Sequence, residues 1–587
     1  MTEDALLALA PPVILGMWAL LLAAIARVGV DAAPAMHRGI GALGALLALA
    51  AAGSILGDPA FDAGHLILAG ALVVDHLAAL GDAAIALALA LALALDRSGR
   101  GQGARAALLS IAAAGLSLTI HAVDLLPLVG GLEIAGLALV ALVAQGLGGG
   151  ARGRRWLVQH GVVSAILLFG VALIVAATGV TRVGELSGRV AMVFTRWGAS
   201  AAQASVDLLE SGVPIPDALE AEARTRAVTA MAPVALYVPG MLLTLFALLH
   251  RLGVAFGGRL RAEVYDRAPA AAIALLELGV RTAATIALLR LFVSGLHVPR
   301  QVFAPYGWST PAAAIAGVTL GAAAIAALRA RAPRRWLAAQ GLLCAGLVAV
   351  TLCAAANFYA HAGLRSSGVV IVDHHEWGMQ SGEAAVAAAI ALCLAQGLAA
   401  IGLLAVLRSL GAPPGAGALA LQGLLRRRRG LGLAAFVCIA ALCGAPPTAV
   451  CVARVDLLAA VLVDNNLLLR IVVIVAALAS TLATLAGLRL LAQLLERPRA
   501  GGESAEVDRI PAAVAIAIAA LTLIAGVWVG PTMQTCALAA AGTGTALGHS
   551  ARAERVQALR ARLRPGDALE AAAPTPDGEN AVDQAAP

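Results

Sequence analysis

Residues 124–142 read DLLPLVGGLEIAGLALVAL, a run of apolar and small residues with one carboxylate, Glu133, near its middle. A helix of about 20 apolar residues is long enough to cross the hydrocarbon core of a bilayer. An ionisable side chain at that depth costs about 2.5 to 3.5 kcal/mol on insertion scales, so a functional reason for it is expected. The stretch therefore predicts a membrane helix that carries a buried, functional carboxylate.

Similar apolar runs recur along the whole chain of 587 residues. The chain is 61% hydrophobic and 13% charged, whereas soluble proteins carry about 25% charged residues. An ordinary soluble enzyme is therefore excluded, and an all-α polytopic membrane protein is predicted. Hydropathy windows indicate about 14 transmembrane helices, near 5–26, 39–57, 68–95, 104–122, 124–147, 156–179, 228–256, 269–293, 310–329, 336–356, 381–407, 431–463, 467–492 and 511–531.

Arginine is concentrated in alternate connections between these predicted spans, as in Arg152, Arg154 and Arg155 or in the run Arg426 to Arg429. The intervening short connections are mostly acidic or neutral. Positive charge in short loops marks the cytoplasmic side of a membrane. The pattern predicts a multi-pass protein of the bacterial inner (plasma) membrane, with both termini on the periplasmic side.

The chain divides into a bundle and a tail. Residues 1–535 contain all of the predicted spans, and 180–227 form a polar, partly amphipathic insertion between spans 6 and 7. Residues 536–587 begin with an Arg-rich segment and end in a Pro-, Ala- and Asp-containing stretch. The composition of that last stretch is typical of disorder.

Further charges interrupt the predicted spans. Arg281 lies in the middle of span 8, and Glu277 is spaced four residues before it, so that the two can pair on one helix face. Arg454 follows two prolines in span 12, which must open the helical hydrogen-bond ladder. A broken helix beside a charge is typical of an ion pathway. Spacing alone leaves open whether the ion is a proton or sodium.

The seven cysteines lie inside apolar runs and show no spacing typical of metal ligands or of a disulfide framework. They are interpreted as small core residues. The sequence therefore predicts no redox centre, cofactor or metal site in this chain.

The order of these motifs resembles that of the antiporter-like membrane subunits of bacterial proton-translocating NADH-quinone oxidoreductase (complex I), and among them subunit N. The likeness extends from about residue 5 to 535. It rests on the segment around Glu133, on VYDRAP at 264–269, on GAPPTA at 444–449, and on the spacing of the charges between them.

The resemblance implies a fold with two inverted five-helix repeats and with broken helices at spans 7 and 12. It implies a translocase subunit that couples quinone reduction elsewhere in the complex to proton translocation. NADH, FMN, iron-sulfur clusters and quinone are then expected in partner subunits, and the partners are the other membrane and hydrophilic subunits and the lipid bilayer, without nucleic acid. The implied charge relay consists of Glu133, Arg155, Arg251, Arg281 and Arg454, with Glu277 and His250 as candidate proton carriers on neighbouring turns.

The chain contains no lysine, and arginine stands at each aligned relay lysine. Unlike lysine, a guanidinium group has a pKa above about 12 and effectively keeps its proton. Two explanations stay open: a fixed cation still organises water and pairs with Glu133, or the chain is a non-pumping structural subunit of the membrane arm. A subunit of a Mrp-type cation/proton antiporter, which shares the fold, is the other alternative.

Overall fold

The structure is a computed structural model. It describes residues 9–27, 34–61, 64–96, 101–146, 150–194, 217–254, 258–296, 307–364, 381–412, 418–462, 466–497 and 507–541. Within these residues, 13 helices are long and apolar enough to cross a membrane. The predicted class, an all-α polytopic membrane protein, is confirmed.

The observed helices follow the predicted spans and keep their numbers here. Spans 1 to 7 are the helices Ala10–Arg27, Pro34–Gly57, His76–Leu95, Gln102–His121, Leu125–Gly146, Ala151–Thr178 and Asp217–Leu252. Spans 8 to 11 are Ala270–Gly295, Ser309–Arg329, Pro333–Leu364 and Ser381–Ser409. Span 12 is formed by the two short helices Arg429–Cys443 and Ala449–Leu462, and spans 13 and 14 are Leu467–Leu495 and Arg509–Val527.

Smaller elements connect or follow the spans. A hairpin of the antiparallel strands β1 (His65–Ile67) and β2 (Leu72–Val74) lies between spans 2 and 3. The other elements are 3-10 turns at Pro59–Phe61 and Ala418–Leu421, a helix over 183–194, and the helices Gly258–Arg267, Leu424–Arg427 and Val529–Ala541. The last of these helices lies on both sides of the boundary predicted at 535.

The insertion predicted at 180–227 is only partly described, because 195–216 lies outside the described residues, as does the tail beyond 541. Its first part contains the helix over 183–194, and the helix of span 7 already begins at Asp217. The span itself is apolar from Pro233 to Leu252. Residues 217–227, which were assigned to the insertion, therefore belong to the helix that leads into span 7.

Span 12 is interrupted by the sequence GAPPTA. The first helix ends at Cys443, where Gly444 takes a left-handed conformation with φ of 78°, which glycine adopts without the cost of a Cβ clash. Pro446 and Pro447 follow and cannot donate to a helical ladder, and the second helix begins at Ala449. The inverted repeats, and the assignment of spans 7 and 12 as broken membrane helices of that family, stay predictions.

Spans 8, 10 and 11 form the centre of the bundle. Almost every residue of their apolar parts, Ala270–Gly295, Pro333–Ala356 and Gly382–Ser409, is buried, whereas spans 1, 2, 13 and 14 leave most of their residues at the periphery. The exposed residues there are large and apolar, such as Leu20, Ile474 and Val527. A bundle with an apolar periphery is suited to a lipid solvent, in which polar groups must be satisfied internally.

Span 8 differs from the other central helices in its hydrogen bonding. It contains two π-helical segments, Leu275–Val280 and Leu289–Gly295, separated by one α-helical segment. Such widened turns are rare and occur frequently at functional sites. Each of them carries an ionisable residue, Glu277 in the first and Arg290 in the second.

Candidate functional site

The first buried ion pair joins span 5 to the end of span 7. Arg251 Nη2 donates to Glu133 Oε1 at 2.6 Å and to Ser164 Oγ at 3.0 Å. The Ser164 hydroxyl in turn donates to Glu133 Oε2 at 2.7 Å, and Arg251 Nη1 donates to the carbonyl of Leu132 at 3.1 Å. The pairing of Glu133 with Arg251 that the resemblance implied is therefore present, with span 6 supplying a hydroxyl to both partners.

Two histidines border this pair. His160 Nε2 lies 3.6 Å from Glu133 Oε2, and His250 Nε2 lies 3.2 Å from the side-chain nitrogen of Gln159. Glycine at 136 makes the approach possible, because a Cβ there would lie 2.1 Å from His160 Cε1 and 2.5 Å from Arg251 Nη1. His160 was missed in the sequence, although it is a lone imidazole within an apolar run.

Arg155, which the resemblance aligned with a relay lysine, lies elsewhere. Its side chain is exposed near the start of span 6, in the first turns of the helix Ala151–Thr178. His160, five residues later, is the residue of this helix end that faces Glu133. The structure therefore brings Glu133 together with Arg251 and His160 and leaves Arg155 at the surface.

The second ion pair lies within span 8 and is almost completely buried. Arg281 Nη1 and Nη2 donate to Glu277 Oε2 and Oε1 at 2.8 and 2.9 Å, as the four-residue spacing predicted. The hydroxyl of Tyr265, on the helix Gly258–Arg267, donates to Glu277 Oε1. Arg261 Nη2 in turn donates to the Tyr265 oxygen at 3.4 Å. Glu277 therefore receives donors from a guanidinium and from a phenol.

A cavity of about 110 Å³ separates the two pairs. Its polar lining comes from Gln159, His160, His250, Arg251, Arg261 and Tyr265, and its apolar lining includes Leu139, Val163, Val280 and Leu342. A water molecule needs roughly 10–15 Å³ of such volume and two to four polar partners. The cavity therefore has room and partners for several waters between Arg251 on one side and the Tyr265–Glu277 contact on the other.

Arg454 lies against the break in span 12. Its Nη2 donates to the carbonyl of Leu442 at 2.8 Å, and to the side-chain oxygens of Gln396 and Gln340 at 3.4 and 3.5 Å. The Leu442 carbonyl is one of those that a helix leaves unpaired at its C-terminus. Among the described residues, no carboxylate forms a salt bridge with this buried guanidinium.

Span 10 connects Arg454 with the second ion pair. Gln340 contacts Arg454, and the next residue, Gly341, lies against Glu277 and Arg281. A Cβ at Gly341 would come within 2.8 Å of Arg281 Nη2 and 2.9 Å of Glu277 Oε1. Gln396 of span 11 donates to the backbone carbonyl of Gln340 at 2.6 Å and so holds this link in place. Neutral amides were given no role in the sequence interpretation.

A further polar cluster lies beside the β1–β2 hairpin, where span 3 begins and spans 4 and 8 end. Arg290 makes a bidentate pair with Asp75, with Nη2–Oδ1 and Nη1–Oδ2 distances of 2.8 and 3.1 Å. His121 Nε2 lies 2.7 Å from Asp82 Oδ2, and Ser117 donates to Asp82 Oδ1 at 2.5 Å. All of these side chains are buried. The sequence contains the signal for them, because Asp82 and Arg290 interrupt apolar runs as Glu133 does.

No cluster of three or more His, Cys, Asp or Glu side chains that could hold a metal ion is found among the described residues. The arrangement offers ionisable groups and a cavity with room for water. In order along the bundle these are Glu133 with Arg251 and His160, the cavity, Tyr265 with Glu277 and Arg281, and Arg454.

No family model and no curated protein matches the chain. Among solved structures, a chain of respiratory complex I from Thermus thermophilus, determined with bound aureothin, is 21% identical and has a TM-score of 0.64, with 89% of this chain and 98% of that one covered. A chain of the Mrp complex from Dietzia sp. DQ12-45-1b is 18% identical with a TM-score of 0.67, covering 95% and 100%. A chain of the archaeal membrane-bound sulfane sulfur reductase is 18% identical with a TM-score of 0.69, covering 94% and 99%.

These three likenesses concern the fold, and they extend over nearly the whole length of each chain. The chain is therefore a multi-pass membrane protein with the fold of chains from complex I, Mrp and sulfane sulfur reductase assemblies. The TM-scores of 0.64 to 0.69 do not single out one of the three assemblies or the subunit N type.

Proposed function

We propose that this chain is a membrane-arm subunit of an NADH-quinone oxidoreductase, and that it couples quinone reduction in neighbouring subunits to proton translocation through its buried Glu/Arg relay. The observation that carries the proposal is the cavity between two buried ion pairs. An ionisable group inside a bilayer is a candidate for a proton or ion pathway. Here the cavity is lined by Arg251 of one pair and by Tyr265, which donates to Glu277 of the other.

The relay contains two kinds of groups, fixed charges and groups that exchange protons. Arg251, Arg281 and Arg454 keep their protons and hold the positive charge in place, because guanidinium does not deprotonate in proteins. Protons pass between Glu133, His160 and His250 at one end of the cavity and the Tyr265–Glu277 contact at the other. Water between them completes the hydrogen-bonded connection.

The ion pairs couple these steps. When Glu133 binds a proton, it loses its charge and with it most of its hold on Arg251, which then lies beside the cavity without a counter-ion. The uncompensated cation favours departure of a proton from the groups on the far side, because like charges repel strongly at low local dielectric. A proton arriving at one pair therefore promotes release beyond the other.

The other candidate function is that of a subunit of a Mrp-type cation/proton antiporter. The fit to the Dietzia Mrp chain, with a TM-score of 0.67 over 95% of this chain, favours it as much as the complex I fit favours the first. Both functions would use the same buried groups. They differ in the partner subunits and in the driving reaction.

Under the first proposal, NADH, FMN, iron-sulfur clusters and quinone are bound by partner subunits, and the assembly lies in the bacterial inner membrane with both termini of this chain on the periplasmic side. Purification of the tagged chain in a mild detergent is then expected to bring hydrophilic redox subunits with it. Vesicles that contain the assembly are expected to take up protons when NADH and a quinone are added.

Two other results of this experiment would favour the alternative functions. Co-purification with other membrane chains only, together with sodium-driven proton exchange, would favour the Mrp-type antiporter over the complex I subunit. If redox subunits co-purify but no protons are taken up, although control vesicles are shown to be proton-tight, the chain would be a structural subunit of the membrane arm.

A further inference from the structure

Asp75, Asp82, His121 and Arg290 form a second set of buried ionisable groups, which the relay described above does not use. They lie at the hairpin end of the bundle, on spans 3, 4 and 8, and at most 7% of the surface of any of these residues is exposed. Span 4 is attached to the hairpin there, through a bridge between Leu72 and Ala122 and a contact of 2.8 Å between His121 Nδ1 and the Val73 carbonyl. The cluster is therefore held from three spans and one strand.

The hydrogen bonds of His121 determine where its protons are. A carbonyl only accepts, so the contact with Val73 requires a hydrogen on Nδ1. Nε2 then faces Asp82 Oδ2 at 2.7 Å, a distance at which a bare ring nitrogen and a bare carboxylate would repel each other. One proton must lie between them, as imidazolium N–H donating to carboxylate or as carboxyl O–H donating to imidazole. The pair accordingly binds one proton in the arrangement observed.

The surrounding charges keep this proton in place at rest. Asp75 and Arg290 face the pair and neutralise each other, with Arg290 Nε donating to the carbonyl of Ile120 at 2.8 Å. Asp82 and His121 with their shared proton are also neutral as a unit. Loss of that proton leaves one net negative charge in a buried site, which is costly without a new partner. The site is therefore filled at rest and can be emptied when an incoming charge or water compensates it.

Span 8 connects this cluster with the relay. Arg290 belongs to its second π-helical segment and Glu277 to its first, so each widened turn contributes to one set of buried charges. Between the two sets, Ile286 and Ile120 lie against Gly81, the residue before Asp82: a Cβ there would approach their terminal carbons to 2.7 and 2.9 Å. This apolar layer makes the cluster a separate site rather than an extension of the cavity.

We propose that Asp82 and His121 form a second proton-binding site, which holds one exchangeable proton between Oδ2 and Nε2 and exchanges it with the face of the membrane where the hairpin lies. Release transfers the proton to water and leaves neutral His121 with ionised Asp82, and uptake reverses this. The binding of the proton follows from the contacts, whereas a role of this separate site in transport rests on the proposed function.

The binding is tested on the native assembly in lipid, with ¹⁵N-labelled histidine and with infrared spectroscopy. The His121 resonance is identified by its loss in His121→Gln. Near neutral pH we expect either a charged imidazolium at His121 or a protonated carboxyl band, and we expect Asp82→Asn to remove that signal. Asp96→Asn is the matched control, because Asp96 ends the same helix but pairs with a guanidinium, that of Arg105 at 2.9 Å. The proposed site would be overturned if the His121 ring is neutral and no protonated carboxyl band changes in Asp82→Asn.

The transport step is tested with vesicles that contain the same variants at matched amounts of assembled protein. Proton transport is expected to be lost in Asp82→Asn and kept in Asp96→Asn. If Asp82→Asn does not assemble, His121→Gln replaces it, since this variant keeps a polar side chain beside the Val73 carbonyl. Full transport in the variant that assembles would overturn the role of this site in transport. Wild-type vesicles without transport would instead contradict the proposed function, and the spectroscopic test would still decide whether the proton is bound.

Discussion

Replacement of Glu133 by glutamine is expected to abolish proton transport by vesicles that contain the assembly, while leaving the chain folded and assembled. Glutamine has nearly the same shape: its side-chain oxygen can still accept from Arg251, which lies 2.6 Å from Glu133 Oε1, and its amide nitrogen can donate to the Ser164 hydroxyl, which lies 2.7 Å from Oε2. It cannot bind or release a proton. The Arg251 guanidinium keeps its hydrogen bonds to the Leu132 carbonyl and the Ser164 hydroxyl, and the 23% exposure of the Glu133 side chain lets water screen its charge.

Glu185→Gln is the matched control for this prediction. Glu185 also pairs with an arginine, Arg182, but at 3.6 Å and with half of its side chain exposed, and such surface pairs contribute about 0–1 kcal/mol. Proton uptake is measured with a pH-sensitive dye under the same driving reaction for both variants. Transport at the wild-type rate in Glu133→Gln would contradict a relay through this carboxylate.

Removal of one partner of the Glu277–Arg281 pair is expected to have the largest effect on stability. Glu277→Leu leaves the guanidinium of Arg281 fully buried without its bidentate partner. An unpaired buried charge of this kind typically costs about 3–5 kcal/mol. The variant is expected to unfold at a clearly lower temperature than wild type, measured by differential scanning fluorimetry of the purified assembly.

The double variant Glu277→Leu/Arg281→Leu distinguishes the loss of a charge partner from a simple packing defect. Apolar residues in place of a whole buried pair are often neutral or stabilising, so most of the lost thermal stability is expected to return. Transport is expected to stay absent, because Tyr265 then has no carboxylate at this site. A double variant as unstable as the single one would show that the ion pair is not the source of the effect.

The sequence predicted the buried charges best where one helix or one motif determined the geometry. Glu277 and Arg281 are four residues apart on span 8, so that helical periodicity alone places them together. The run APP lies between the helices that end at Cys443 and begin at Ala449, because proline cannot continue the ladder; the broken membrane helix that the sequence implied at span 12 stays a prediction. The contact between Glu133 and Arg251 joins two spans, so it could be predicted only from the resemblance.

The site residues that the sequence did not reveal depend on how different spans pack against one another. His160 rather than Arg155 faces Glu133 because it lies deeper along the same helix, and the sequence does not show which helix face is turned inward. Gln340 and Gln396 are neutral, so a search for charges passes over them. The π-helical segments of span 8 arise from packing at the centre of the bundle and have no pattern of their own in an Ala- and Leu-rich run.

The most direct test of the central claim, that protons cross this chain through water in the cavity between the two ion pairs, is to fill that cavity. Val280 lines it and makes none of the hydrogen bonds of either pair, and phenylalanine at this position would displace the water. Val318→Phe, at a position on span 9 that is 70% exposed, is the control. Proton uptake by matched vesicles is predicted to be lost in Val280→Phe and unchanged in Val318→Phe; equal uptake in both would contradict the account.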